Sequence, residues 1–144
     1  APSSIRVEGF NQQVDVVGYG KRVKMSPIQR ALYLFFLRRP DGVKILDLPD
    51  AGNIKELTEL YMSISNLDNR DEQAMIMPPV AADMDGRLRE HLSKIRKAFK
   101  EIVGEVDAKK YSINGTPGEA FVISLDRQLV NWHDKQGQPV LMLR

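Results

Sequence analysis

The residues best placed to do chemistry stand close together. Between Arg87 and Ile102 the chain sets Arg87, Arg89, Lys94, Arg96, Lys97 and Lys100 against only Glu90 and Glu101. If the stretch is helical, Leu88, Leu92, Ile95, Phe99 and Ile102 recur at steps of three and four and form one apolar stripe. The cations then share the remaining surface with Ser93, and the stretch carries a net charge of about +4 over roughly four turns. That chemistry is electrostatic: permanent cations on a rigid rod suit a row of phosphates. A solvated helix over an ordinary core stripe carries the same signature, so this stretch by itself leaves both readings open.

Other chemistry finds less support. There is no cysteine, which excludes disulfides, thiolate nucleophiles and cysteine-based zinc sites together. His91 and His133 are the two histidines, far apart in sequence. His91 falls near the seam of the basic helix, where a packed or phosphate-touching imidazole is expected rather than a catalytic base. His133-Asp134 follows Trp132 with no serine or cysteine nucleophile pattern around it. Gly18-Tyr19-Gly20-Lys21 lacks the spacing and the following Ser or Thr of a phosphate loop, and reads as a hairpin turn. Trp132 and Tyr111 read as packing residues. We therefore expect no catalytic residues, no metal, no cofactor and no enzymatic activity.

The elements that must position the basic helix follow from periodicity. The 144 residues, 42% hydrophobic and 28% charged, suit one soluble α+β domain. Ile5 to Phe10, Val14 to Val16 and Arg22 to Met25 alternate, with turn residues between them, and predict a small N-terminal antiparallel sheet. Ser26-Pro27 starts a helix that carries Ile28, Ala31, Leu32, Phe35 and Phe36 inward and stops by Arg39, before Pro40. Leu34 and Leu37 widen its stripe, so it should be the central helix. Val43 to Leu48 is a candidate short strand. A second helix follows Asn53 as its cap, with Ile54, Leu57, Leu60, Tyr61 and Ile64 on one face and Glu56 and Glu59 exposed. Tyr111 to Ile113 and Phe121 to Leu125 flank a turn at 114–118 and predict a hairpin. The close, Pro139 to Arg144, is expected to fold back on Leu129 to Trp132, with either Val140 and Met142 or Leu141 and Leu143 inward.

Two further features concern partners. Lys21 to Arg39 holds six basic residues and no acid, whereas Asp41 to Glu72 holds eight acids and three bases. Segregation of this kind predicts two polarised faces, one for nucleic acid and one for a protein. Residues 66–86 form an irregular stretch in which Met75, Met77 and Met84 are expected to plug a gap in the core. No apolar run approaches a membrane span, which points to a cytoplasmic protein that does not enter membranes. The start at Ala1, without Met, reads as a processed end or a piece of a longer chain.

Sheet, helix, short strand, helix, long loop, basic helix and hairpin is the order of a winged helix-turn-helix domain. KRVKMSPIQRALYLFFLRRPDGV, REHLSKIRKAF and KYSINGTPGEAFVISL resemble, in turn, the first-helix segment, the recognition helix and the wing of OmpR/PhoB-type effector domains of bacterial transcription regulators. The resemblance spans about 21–125 and leaves 126–144 as a C-terminal extension. It implies a DNA-binding domain whose basic helix enters the major groove of duplex DNA while the hairpin wing braces the backbone. It makes Lys94 and Arg96 the foremost helix contacts to bases or phosphates and Lys97 a phosphate contact. Ser93 stands where the family often has another base, and Asn114 where it usually has an arginine that reaches the minor groove. Residues 66–86 correspond to the loop that contacts RNA polymerase, so a protein partner is expected there. Compared with that family, the first sheet is one strand short. The alternative is a winged-helix protein-interaction module that does not bind DNA.

Overall fold

A computed structural model describes residues 2–65 and 87–144, and it is a mixed α+β structure with four helices and two small sheets among those residues. The expectations placed on 66–86, including the methionine plug and the contact with a protein partner, lie outside the described residues.

The alternating N-terminal runs form the expected meander. Strands β1 (Ile5–Glu8), β2 (Gln13–Val16) and β3 (Lys21–Arg22) pair antiparallel. The period of two puts Ile5 opposite Val16 and Val7 opposite Val14, and all four side chains are buried. The strand missing from the sequence reading comes from the other end of the chain. Val130–Trp132, which we number β7, lies parallel to β1 and completes a four-stranded sheet in the order β3-β2-β1-β7. Residues 126–144 are thereby built into the domain.

Helix α1 (Pro27–Leu37) begins with a complete capping box. The Gln29 N–H donates to Ser26 Oγ at 3.3 Å, and the Ser26 N–H donates to Gln29 Oε1 at 3.1 Å. Every residue from Gln29 to Leu37 is buried, as expected of a central helix. Pro40 and Gly42 turn the chain into β4 (Val43–Lys44), after which Ile45–Asp47 tightens into a 3-10 turn instead of continuing the strand. Gly42 is required here: its φ is +79°, and a Cβ would stand 2.3 Å from the Phe121 carbonyl oxygen.

Helix α2 (Ala51–Ser65) buries Leu57, Tyr61 and Ile64. It starts two residues before Asn53, which lies in the first turn and donates its side-chain amide to the Asp47 carbonyl at 2.7 Å instead of capping. Glu56 is also not a free surface acid. It accepts from both Arg38 and Arg39 at the end of α1.

Helix α3 (Arg87–Val103) is the basic stretch, and Gly104, with φ +88°, separates it from a seven-residue helix α4 (Glu105–Tyr111). The sequence reading assigned Tyr111 to a strand; it closes α4. Only β5 (Ile113–Asn114) and β6 (Ala120–Ile123) form the hairpin, and β6 also pairs with β4, giving the order β4-β6-β5. One aromatic group joins these parts: the Phe99 ring lies between Tyr33 at 5.1 Å and Tyr111 at 5.4 Å, the latter stacked. At the C-terminus the chain turns back, with the Val140 N–H donating to the Trp132 carbonyl at 3.0 Å. Val140 and Met142 pack on the core while Leu141 is exposed, which resolves the open register.

Candidate nucleic-acid interface

Helix α3 is fixed from beneath. Leu88, Ile95 and Phe99 of the predicted stripe are fully buried, Ala98 joins them, and Leu92 and Ile102 pack against the same core. With that face settled, a helical period of 3.6 distributes the rest. Glu90, Ser93, Lys97 and Lys100 follow at steps of three and four along the side opposite the stripe, and all four are exposed. Arg87 and Lys94, followed one step later by the exposed Glu101, lie on one flank of that ridge, Arg89 and Arg96 on the other. Each flanking pair is seven residues apart, about 10.5 Å along the axis. Arg96 is half-buried, as a flank position should be, and Arg87, Arg89 and Lys94 are exposed. Lys94 and Arg96 therefore stand about 160° apart around the helix, on opposite flanks.

The ridge is not uniformly positive. Lys94 Nζ is 2.9 Å from Glu90 Oε1, one turn away, and both side chains are more than half exposed. The hydrogen bond from Lys94 holds the Glu90 carboxyl below its usual range. Lys100 Nζ lies 4.0 Å from Glu105 Oε1, across the Gly104 break. On the inner edge, His91 Nδ1 is 3.4 Å from Gln29 Nε2 of α1, and burial pushes its pKa down. The imidazole is thus a packed, predominantly neutral group at neutral pH.

The hairpin stands beside the Arg89 flank. Its tip from Gly115 to Glu119 is exposed, and the Glu119 N–H donates to the Thr116 carbonyl at 3.1 Å. Gly115 lies flat on the Phe121 ring, where a Cβ would come within 2.6 Å. Asn114, at the position where the resembled family has an arginine that reaches the minor groove, is half-buried and donates its amide to the carbonyls of Lys109 at 2.9 Å and Ser112 at 3.2 Å. Its donors are used to set the α4–β5 corner. Between hairpin and helix runs an apolar groove of about 320 Å³. Ile45, Leu46, Leu88, Leu92 and Phe121 line it, with Lys44 and Arg89 at its edge. Sequence reading missed Lys44, because a single lysine in a short apolar run carries no signal of its own.

The basic block from Lys21 to Arg39 does not make a separate face. Arg22 pairs with its cross-strand neighbour Asp15 at 2.9 Å. Arg30 is 5% exposed and donates to Gln13 Oε1 and the Met25 carbonyl, at 3.1 and 3.2 Å. Arg38 and Arg39 hold Glu56 of the acidic block. Lys21 and Lys24 remain exposed. Among the described residues, α3 carries Arg87, Arg89, Lys94, Lys97 and Lys100 as exposed cations.

His133 joins the sheet edge through its backbone, its N–H donating to the Val7 carbonyl at 2.8 Å. Trp132 is buried and donates from Nε1 to Gln12 Oε1 at 2.6 Å. Among the described residues no three His, Asp or Glu side chains gather as metal ligands, and no helix is long and apolar enough to cross a membrane. Compared with models of known protein families, with curated proteins and with solved structures, the chain matches none.

Proposed function

We propose that this is a winged-helix DNA-binding domain of a bacterial transcription regulator, similar to OmpR/PhoB-type effector domains and acting in the cytoplasm without catalysing a reaction. The observation that carries the reading is the charge arrangement on α3: a polar ridge pointing away from the core, bounded on each flank by two cations seven residues apart. A helix lying in the major groove faces base edges along its outer ridge and a phosphate strand on each side. Among the described residues the order α1, β4, α2, α3, α4, β5, β6, with β4 paired to β6, supports the same reading, since beyond the short α4 it sets an exposed hairpin beside α3. Residues 66–86 are the proposed contact with RNA polymerase or another protein.

The test is titration of the domain with duplex DNA at two or more salt concentrations. Binding that weakens steeply with salt, and weakens further in Lys94→Ala and Arg96→Ala, supports the proposal; absent or salt-independent binding refutes it.

A second reading, a winged-helix protein-interaction module without DNA binding, is favoured by the apolar groove and by Leu46, which is 79% exposed at its edge. The committed amide of Asn114 points the same way. Substitution of Leu46 by Ser separates the two readings: it leaves DNA affinity unchanged in the first and abolishes partner binding in the second.

A further inference from the structure

We infer that α3 divides its labour, with Glu90, Ser93 and Lys97 reading base edges and Arg87, Lys94, Arg89 and Arg96 gripping the two phosphate strands, so that the preferred duplex presents cytosine to Glu90 and guanine to Lys97. The inference rests on the proposed DNA-binding function and departs from what the family resemblance implies by moving Lys97 from phosphate to base and fixing Lys94 and Arg96 on phosphates.

Leu88, Ile95 and Phe99 fix the rotation of the helix, because all three are buried at 1% exposure or less. Directly opposite them stand Ser93 and Lys97, with Glu90 one turn before, all exposed. A helix seated in a groove about 12 Å wide presents this ridge to the floor. Lys94 and Arg96, about 160° apart, cannot both face the floor but can each face a wall. The wall on the Arg96 side is also the hairpin side, because Arg89, on the same flank, shares the groove edge with Pro117 and Phe121.

Chemistry then assigns the bases. A carboxylate facing phosphates is repelled, so Glu90 has a favourable place only where it meets a donor; of the two major-groove donors, adenine N6 stands beside the N7 acceptor that repels a second carboxylate oxygen, which leaves cytosine N4 as the better partner. Lys97 offers the ammonium that guanine O6 and N7 accept, and the Ser93 hydroxyl both donates and accepts. Glu90 and Lys97 are about 10.5 Å apart along the axis, which spans about three base pairs. The ion pair between Glu90 and Lys94 does not lock either group, because both are well exposed.

The experiment is selection from a randomised duplex library by the wild-type domain and by Glu90→Gln, Lys97→Ala, Arg87→Ala and Arg96→Ala, followed by salt titration on the winning duplex. All four side chains lie outside the core, and a thermal melt confirms that each variant folds. The expected result is a wild-type preference for cytosine and guanine about three pairs apart. Glu90→Gln and Lys97→Ala should relax that preference by about tenfold at one position each, while Arg87→Ala and Arg96→Ala should keep it and lower the salt slope by about 1. Loss of base preference in the arginine variants, with Glu90→Gln and Lys97→Ala unchanged in preference, would overturn the division of labour while leaving DNA binding intact. Failure of the wild-type domain to enrich or bind any duplex would overturn the DNA reading itself.

Discussion

Tyr33 Oη donates to the main-chain carbonyl of Tyr111 at 2.8 Å, joining the middle of α1 to the residue at which α4 gives way to the hairpin. Both residues are buried, and the Phe99 ring of α3 sits between theirs. The relationship sets where the hairpin stands relative to the basic helix. Tyr33→Phe keeps the ring packing but strands a buried carbonyl, so it should cost about 1–3 kcal/mol. Urea denaturation measures this loss, and an unchanged midpoint would show that the bond contributes nothing.

Arg127 works as a clamp between the end of α1 and the end of β6. Its guanidinium donates to the carbonyls of Leu37 and Ile123 at 2.7 Å each, and to that of Leu125. Burial lowers its pKa, yet the four-way demand of backbone acceptors, including Phe36 at 3.4 Å, suits a planar fork at a helix C-terminus. Arg127→Ala should destabilise the domain by about 2–4 kcal/mol. Arg127→Lys should recover less than half of that, because one ammonium cannot meet acceptors in this spread; full recovery in the same denaturation assay would contradict the clamp.

Two glycines should respond with opposite signs to alanine. At Gly42 the left-handed backbone and the Phe121 carbonyl leave no room for a Cβ, so Gly42→Ala should destabilise by more than about 2 kcal/mol. Gly52 lies in the first turn of α2, where an added Cβ would meet nothing within 4 Å, and Gly52→Ala should stabilise by about 0.5 kcal/mol. Paired thermal melts check both signs.

His91 gives the domain a pH dependence. Its pKa in the fold is lowered from the ordinary 6.5, mainly by burial, so the unfolded chain takes up a proton first as pH falls. Stability should therefore be level above about pH 6.5 and decline below it, toward the lowered value. His91→Gln should flatten that decline in melts taken between pH 7.5 and pH 5. Glu90, also lowered, chiefly by its hydrogen bond from Lys94, adds its own loss only below about pH 4.5, so the two windows separate. A decline that survives His91→Gln unchanged would assign it to another group.

What the sequence made legible was local. The 3.6-residue period exposed the core stripe of α3, Ser26-Pro27 marked the start of α1, and alternation marked the meander. What it concealed depends on distant partners. Tyr111 alternates with Ile113 as a strand residue would, and only the stacking on Phe99 and the break at Gly104 reveal a short helix. Val130 to Trp132 pairs with β1 across most of the chain, and no local pattern encodes that register. Glu56 looked exposed on its own helix, and its partners Arg38 and Arg39 belong to another. The six cations of α3 were visible from the start, but which of them share a flank became clear only once burial fixed the rotation of the helix.

The most direct test of the central claim is the slope of log affinity against log salt for duplex DNA, measured for the wild-type domain and for the double variant Lys94→Ala/Arg96→Ala. On the proposed reading these residues, on opposite flanks, meet different phosphate strands, so the slope should become shallower by about 2. A slope that is the same in both proteins, or a wild-type domain that binds no duplex at low salt, would contradict the account.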